Sequence, residues 1–278
     1  MIIVALVILG LCFGSFVNAL VWRLRQQSLT KNKQPAKASD FSISTGRSMC
    51  PHCRHRLGTT DLIPVLSWVL LRGRCRYCHT PIGLQYPAVE LLVAGLYGLS
   101  YVLWPTGLVD VPDRAIFGLW LVALIGLIAL VVYDLKWMLL PNRIVFPLTA
   151  LAGTSALIRV FTSDQPIRAL IEVMSAVFIA GGIFYILFQI SSGRWIGGGD
   201  VKLGFVLGLL LAKPELAFLM LFIASILGLF VSLPALLLKR SNLSSRIPFG
   251  PFLISATILV VLFGDSIVHW YMASVLIV

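Results

Sequence analysis

The chain has 278 residues, of which 59% are hydrophobic and only 12% are charged. A soluble protein of this length needs far more polar surface, so the composition excludes that class and indicates an integral membrane protein. The formal net charge is +11, but half of the Lys and Arg side chains lie in one polar stretch between Arg23 and Arg76. Such a block is typical of the cytoplasmic side of a membrane protein and makes nucleic-acid binding the weaker explanation.

Apolar windows of about 20 residues predict an all-α polytopic membrane protein with about eight transmembrane helices. The first window begins at the amino terminus. It has no small-residue cleavage site and its charges follow the apolar run, so we expect a retained span rather than a secretory signal. The sixth window is short and is either re-entrant or merged with its neighbours. The predicted spans are residues 2–22, 85–104, 115–133, 144–161, 168–190, 201–212, 215–238 and 250–277.

The charge distribution predicts how these spans are oriented. Threading them alternately through the bilayer places both termini outside and most Lys and Arg side chains on the cytoplasmic face. We therefore expect a first span at 1–22, a small cytoplasmic metal-binding domain at 23–84 and a transmembrane domain at 85–278. The four basic residues placed on the outer face are Arg114, Arg159, Arg168 and Lys213.

Four cysteines lie in the predicted cytoplasmic domain as two pairs, Cys50 with Cys53 and Cys75 with Cys78. Two thiolates two residues apart can bind one metal ion, and two such pairs complete the tetrahedral site that zinc accepts. The domain has too little apolar content for its own core, so a metal ion would supply much of its folding free energy. A closed four-cysteine cage predicts a structural zinc ion. The alternatives are iron in the same cage, a neighbouring histidine as a ligand, or two disulfide bonds.

Two carboxylates are predicted to meet at the cytoplasmic end of the bilayer. Asp134 ends the third predicted span and Asp200 begins the sixth, and an ionised carboxylate there is costly unless it is solvated or paired. Two carboxylates that share one proton and one water form the site of an aspartic protease, in which one acts as base and the other as acid. The coupled pair does not reveal which one is the base. The alternative is that each aspartate caps a helix or, for Asp134, pairs with Lys136 or Arg143.

The residues beside these aspartates suit a peptide substrate. A glycine run directly before Asp200 would admit a substrate backbone and permit positive φ angles, while Lys202 is expected to anchor the helix at the interface. A helix break at Pro141 would give Asp134 room and water. Glu90 is either a secondary functional residue or the ion-pair partner of a loop arginine. The glycines of the run are Gly197, Gly198 and Gly199.

Taken in order, these motifs resemble those of the type IV prepilin peptidases, also called prepilin leader peptidases and N-methyltransferases. A GxGD motif alone would be a weak signal, whereas the ordered set is highly specific and covers nearly the whole chain. The matching segments are GSFVNALVWRL at 14–24, CPHC at 50–53, DLIPVLSWVLLRGRCRYC at 61–78, YPAVELL at 86–92, DLKWMLLPN at 134–142, GGGDVKLGFVLG at 197–208 and IPFGPFL at 247–253.

The resemblance implies an aspartic endopeptidase of the bacterial inner membrane. Such an enzyme removes short basic leaders from prepilins or pseudopilins at the cytoplasmic face, just after a glycine. The resemblance implies that Asp134 and Asp200 are the catalytic pair and that the four cysteines are zinc ligands. Where the family often has Pro-Asp, this chain has Pro141–Asn142. We expect no loss of proteolysis, because that distal acid is not one of the paired carboxylates.

The resemblance also implies methylation of the new N-terminal residue with S-adenosylmethionine. This inference rests on the resemblance and the four-cysteine module, since the chain has no glycine-rich nucleotide loop and no room for a Rossmann domain in its polar stretch. Asn18, Arg23 and Glu90 are the candidate contributors. The expected partners are prepilins or pseudopilins and membrane lipid, whose anionic headgroups suit the basic domain. No nucleic-acid partner is expected, and the oligomeric state is not predicted.

Three other functions stay open at this point. A presenilin-like or preflagellin-like protease would share the aspartates without methyl transfer, although the cysteine pairs and the segment PFGPFL favour the prepilin branch. A proton-coupled transporter would use Asp134 and Asp200 as proton relays near the bilayer midplane, with broken helices in two related halves. A non-catalytic membrane scaffold organised by the zinc domain is the third.

Overall fold

The computed structural model describes residues 1–30, 41–43, 46–237 and 248–275. Within these ranges the regular structure is helical, which confirms the all-α prediction. The described residues form two compact units, Met1–Val102 and Leu103–Val278. Six basic residues used in the topology prediction lie outside the described residues, namely Lys31, Lys33, Lys37, Lys239, Arg240 and Arg246.

The first unit is built on two long helices, α1 (Ile2–Thr30) and α3 (Gln85–Val102). Between them the chain forms a 3₁₀ turn (Thr59–Leu62) and a short helix, α2 (Leu66–Leu70). The predicted boundary at residue 22 falls inside α1, because the helix continues into the polar segment after the apolar run ends.

Helices α1 and α3 cross at unusually close range. A Cβ added to Gly10 would lie 2.7 Å from Cα of Ala94, and one added to Gly14 would lie 2.5 Å from Cα of Glu90. Glycines four residues apart share one helix face, and in lipid this spacing lets two backbones pack directly against each other. The crossing therefore depends on the absence of side chains at these two positions.

Replacing Gly14 by Ala is expected to destabilise the first unit. The added methyl group overlaps the α3 backbone, which cannot move aside as a flexible side chain would, and overpacking of this kind costs about 1–3 kcal/mol. The measurement is thermal unfolding of the purified protein in detergent, followed by tryptophan fluorescence. Gly95→Ala is the matched control, because a Cβ on Gly95 meets nothing within 4 Å. Equal unfolding temperatures for the two variants would contradict the close crossing.

The second unit contains the remaining helices. One of them is continuous through a π-helical turn, Phe178–Gly182, which joins α6 to α7. The helices are α4 (Val111–Trp137), α5 (Asn142–Thr162), α6 (Pro166–Val177), α7 (Ile183–Ser191), α8 (Gly198–Leu211), α9 (Pro214–Leu237) and α10 (Gly250–Val275).

Within the described ranges each predicted span corresponds to helix, but six segments there, rather than eight, are long and apolar enough to cross a membrane. Helices α3 and α8 are not among them, and α8 has only 14 residues. The chain is a multi-pass membrane protein. The six candidate spans are Ile2–Leu29, Val111–Trp137, Asn142–Thr162, Pro166–Ser191, Pro214–Leu233 and Gly250–Ser274.

Helices α4 and α8 form the core of the second unit. Leu124, Leu127 and Leu130 of α4 and Leu203 and Leu207 of α8 are fully buried. Burial by neighbouring helices explains how a helix as short as α8 can be apolar on nearly every face without spanning the bilayer. The ends of these two buried helices carry the two aspartates predicted to form a site.

Candidate active site and metal centre

Asp134 lies in the last turn of α4, and only 5% of the residue is exposed. The helix ends directly afterwards, because Met138 adopts a left-handed conformation and its N–H donates to the Asp134 carbonyl at 2.8 Å. The side chain does not pair with Lys136, whose Nζ lies over the Trp137 ring, 5.7 Å from the ring centroid. Its carboxylate instead accepts a hydrogen bond from the backbone N–H of Gly250.

Gly250 is the first residue of α10, so the amino end of that helix faces the Asp134 carboxylate. The unpaired N–H groups of a helix amino end carry partial positive charge, which stabilises an anion. A Cβ added to Gly250 would lie 2.6 Å from Oδ2 of Asp134. Only glycine lets the α10 backbone approach the carboxylate this closely, a role that could not be predicted from the matching segment at 247–253.

Asp200 is half-buried in the first turn of α8. Its backbone N–H donates to the Gly197 carbonyl at 3.0 Å, and its carboxylate accepts a hydrogen bond from the Gly197 N–H. A residue three positions after the N-cap that reaches back to the N-cap N–H forms half of a capping box. The capping interaction considered as the alternative role of Asp200 is therefore present, and it orients the carboxylate.

The two carboxylates belong to one site. They are close enough for Asp134 to repel the charge of Asp200. Leu140 lies near the residue before Asp200 and near Gly250, since a Cβ on Gly199 would be 3.2 Å from its Cδ1 and a Cβ on Gly250 would be 3.7 Å from its Cδ2. Two carboxylates that repel each other do not both ionise readily.

The residues around Asp200 differ from expectation in one respect. The expectation of positive φ in the glycine run is wrong, because Gly197 has φ −73° and neither Gly198 nor Gly199 has a positive φ. These residues begin α8, and the left-handed turn lies upstream at Gly193, with φ +75°. Lys202 does not contact the carboxylates, because its Nζ donates to Asn142 Oδ1 at 3.0 Å and so links α8 to the start of α5.

The four cysteines predicted as ligands converge in the first unit. Their Sγ atoms all lie within 4.8 Å of one another, and those of Cys50 and Cys78 are 3.9 Å apart. Sulfur atoms around one tetrahedral ion with metal–sulfur bonds of about 2.3 Å are separated by about 3.8 Å. The four thiols are thus placed to hold a single metal ion.

The two cysteine pairs have the same backbone conformation. Cys50 N–H donates to the His55 carbonyl at 3.0 Å, and Cys75 N–H donates to the Thr80 carbonyl at 2.9 Å. The residue after each pair is left-handed, with φ +58° at Arg54 and +56° at His79. Each pair therefore presents both thiols to the same side. Hydrogen bonds with Thr80 lower the pKa of the Cys78 thiol to about 6, which favours the metal-binding thiolate.

Asp61 ties the segment between the pairs to the second pair, a role the sequence did not reveal. Its carboxylate accepts hydrogen bonds from Arg76 Nε at 2.7 Å, the Tyr77 hydroxyl at 3.0 Å and the Gly58 N–H at 3.2 Å. Burial alone would raise the pKa of Asp61, but these three hydrogen bonds outweigh it and the pKa lies below its ordinary value.

Asn18, Arg23 and Glu90, the candidates for methyl transfer, all line one cavity of the first unit. The Asn18 amide donates to the carbonyls of Tyr86 and Gly14 at 3.1 and 3.3 Å, which holds α1 against the start of α3. Glu90 accepts a hydrogen bond from the Val65 N–H at 2.7 Å. The Arg23 guanidinium donates to three backbone carbonyls, those of Ser42, Ile43 and Gly46.

The chain is similar to known protein families and to relatives over most of its length. The model of the bacterial peptidase A24 N-terminal domain matches residues 8–104, and that of the type IV leader peptidase family matches 121–233. A relative from Aeromonas hydrophila named prepilin leader peptidase/N-methyltransferase is 31% identical over 96% of this chain and 92% of its own. Relatives of the same name from Burkholderia pseudomallei strain K96243 (32% identical, 93% and 84% covered) and Legionella pneumophila (30%, 94% and 91%) also match. No solved structure matches.

The fold and the site define a class: a multi-pass helical membrane protein with a paired-aspartate site and a separate four-cysteine centre. The comparisons specify the family within that class. The chain belongs to the type IV leader peptidase family.

Proposed function

We propose that this protein is a membrane aspartic endopeptidase that removes the basic leader of type IV prepilins or pseudopilins and then methylates the new N-terminal residue. The observation that carries the proposal is the pairing of Asp134 and Asp200 at the ends of two buried helices. The names of the relatives support both activities. A proton relay at the bilayer midplane is disfavoured, because both aspartates lie in terminal helix turns.

The aspartate pair would cleave the peptide bond by general acid–base catalysis. One carboxylate takes a proton from a water molecule as its oxygen bonds to the peptide carbonyl carbon, and the protonated partner donates to the carbonyl oxygen. The roles then reverse, and the C–N bond breaks as the amine receives a proton. Backbone N–H groups of Gly250 and Gly197 orient the two carboxylates, so no flexible side chain has to be fixed before reaction.

The position of the site suits a prepilin, which carries one apolar helix behind a basic leader. A bond between these two parts reaches the active site at the membrane–water interface, where the ends of α4 and α8 are proposed to lie. We propose that this end faces the cytoplasmic side of the inner membrane, because basic residues flank the aspartates in sequence, namely Lys136, Arg143, Arg194 and Lys202. The basic stretch 23–84 is proposed to be a cytoplasmic domain, and 85–278 the peptidase domain.

We propose that the four cysteines bind a structural zinc ion. A closed set of four thiolates leaves no position for a water molecule, so the ion would hold the cytoplasmic domain folded and take no part in either reaction. S-adenosylmethionine would supply the methyl group for the second reaction.

The test is to incubate the purified protein in lipid nanodiscs with a prepilin and follow the substrate by intact mass. We expect the leader mass to be lost without added S-adenosylmethionine, and one methyl group to be gained only when it is present. A folded preparation that never shortens the prepilin would contradict the peptidase assignment. Shortening without methyl gain at saturating donor would contradict the second activity.

Gly250→Ala is expected to lower kcat for leader removal by about 100-fold, since displacing a catalytic group by about 1 Å costs that much. The new methyl group would lie 2.6 Å from Asp134 Oδ2 and must push the carboxylate or α10 away. Gly228→Ala in α9 is the matched control, because a Cβ there meets its nearest atoms at an ordinary 3.7 Å. Initial rates at saturating prepilin measure the effect, and equal rates for both variants would remove Gly250 from the site.

A further inference from the structure

A closed-in space in the first unit has no role in the proposed proteolysis. It is a cavity of about 460 Å³ between α1, α3 and the cysteine pairs, within the range of about 300–1,000 Å³ typical of small-molecule sites. Its walls are largely apolar and include the rings of Trp22, Trp68 and Tyr86. The space is therefore suited to a small organic molecule with a flat ring system.

The charged side chains that line the cavity differ in their partners. Arg23 donates to backbone carbonyls, and Asp61 and Arg76 form an ion pair at 2.7 Å. Glu90 is only 7% exposed, and its hydrogen-bond partners are the Val65 N–H and the Ser15 side chain. Among the described residues no cation lies within ion-pair distance of Glu90.

An ionised carboxylate that is buried without a cationic partner is unfavourable, and a ligand cation beside it would stabilise it. Hydrogen bonds from one N–H and one O–H offset only part of the lost hydration. A ligand cation beside Glu90 would also face an aromatic wall, and aromatic faces attract cations. The chemistry of the cavity thus favours a positively charged ligand with a ring system.

A strained turn lies between Leu62 and Ser67, two residues that line the same cavity. Val65 has φ +59° and ψ −51°, and the Leu66 N–H donates to the Pro64 carbonyl across it. This is a γ-turn with positive φ, a conformation that is rare and unfavourable for a β-branched residue. The Val65 N–H is fixed by Glu90, so the carboxylate also maintains the strained turn, and strain of this kind concentrates at ligand sites.

We infer that this cavity binds S-adenosylmethionine, with Glu90 as the counter-ion of its sulfonium group and the aromatic wall against its adenine. The inference rests on the proposed methylation and assigns the methyl donor of that reaction to the first unit. In the transfer, the neutral amine nitrogen of the cleaved pilin forms a bond to the methyl carbon, and the S–C bond breaks with its electron pair going to sulfur. The proton of the new ammonium leaves to water. The product, S-adenosylhomocysteine, is an uncharged thioether at sulfur, so its attraction to Glu90 is lost and it is released.

The test is calorimetric binding of S-adenosylmethionine and S-adenosylhomocysteine to the zinc-loaded full chain in nanodiscs. Glu90→Gln is expected to weaken binding of the sulfonium by about tenfold or more, the effect of losing one charge-assisted contact. Binding of the thioether should change by less than about threefold, because it lacks the charge that Glu90 contacts. Asp61→Asn is the matched control, since it alters a carboxylate of the same cavity that already has Arg76 as partner. It should leave the preference between the two ligands unchanged.

The outcomes distinguish a failure of the inferred binding site from a failure of the proposed methylation. Equal weakening of both ligands by Glu90→Gln, or no weakening of either, would overturn the role of Glu90 even if the wild-type protein methylates its substrate. A wild-type protein that cleaves prepilin but neither methylates it nor binds the donor would overturn the proposed methylation itself. Leader removal and zinc content, measured on each variant, establish that it is folded.

A second measurement does not depend on the variant. Ultraviolet crosslinking of methyl-labelled S-adenosylmethionine to the wild-type protein, followed by peptide mapping, should place the label on Trp22, Trp68 or Tyr86. A label confined to Leu103–Val278 would overturn the inference.

Discussion

Replacing Asp200 by Asn is expected to slow leader removal by at least about 10³-fold, within the range for loss of a general acid or base. Asparagine has the same shape as aspartate, and its oxygen can still accept the hydrogen bond from the Gly197 N–H that orients the carboxylate. The start of α8 should therefore stay intact. What is lost is the ability to hold and transfer a proton, so this substitution separates a catalytic role from a capping role.

The same loss is expected for Asp134→Asn, because the two carboxylates are proposed to act as one unit. The double variant should be no slower than either single variant, since residues that act as a unit have non-additive effects. Intact-mass time courses of prepilin cleavage measure the rates. Glu172→Gln is the control, because Glu172 is partly exposed and pairs with Arg168 at 3.1 Å on the same helix. Cleavage that survives both Asp→Asn changes would exclude the aspartyl mechanism.

The residues of the proposed site could be predicted from sequence wherever their neighbours along the chain form a recognisable motif. Asp134 precedes a helix break, Asp200 follows a glycine run, and the cysteines occur at the spacing of a metal site. Gly250 could not be found this way. Its function depends on α10 packing against the end of α4, and hydrophobic periodicity does not specify which helices are neighbours.

The number of spans shows a second limit. Apolar composition reports that a segment avoids water, whether its neighbours are lipid or protein. Helix α8 is apolar because other helices enclose it, and its 14 residues are too few to span the bilayer. Apolar composition also does not report where a helix ends: the apolar run stops near residue 22, whereas α1 continues through polar residues to Thr30.

Asn18, Arg23 and Glu90 could be selected from sequence but not separated by role. In the structure Asn18 and Arg23 form hydrogen bonds with backbone carbonyls, and Asn18 also with the Gln85 side chain. Such contacts indicate residues that position the surrounding segments. Glu90 differs because it is a carboxylate with no basic side chain within ion-pair distance in the described part of the chain. Such a difference depends on tertiary contacts between segments far apart in the chain.

Cys75→Ser is expected to abolish stoichiometric zinc binding and with it methyl transfer. The residue is 4% exposed, and its Sγ belongs to the four-sulfur cluster. A structural zinc ion contributes about 10–16 kcal/mol to the folding of a small domain, far more than the apolar contacts of the segment between the pairs can replace. Loss of one thiolate also leaves three uncompensated ligands. The walls of the cavity between α1 and the cysteine pairs would then lose their support, so the donor site should be lost together with the metal.

Metal content by mass spectrometry and methyl gain on a cleaved pilin measure these two losses. Cys12→Ser is the matched control, because Cys12 is an exposed thiol of α1 outside the cluster. It should retain one zinc ion per chain and full methyl transfer. Leader removal by Cys75→Ser should persist at a measurable rate, since Asp134 and Asp200 belong to the other compact unit. Stoichiometric zinc in Cys75→Ser would contradict the ligand assignment. Methyl transfer that continues after the metal is lost would show that the donor site does not need the folded cysteine pairs.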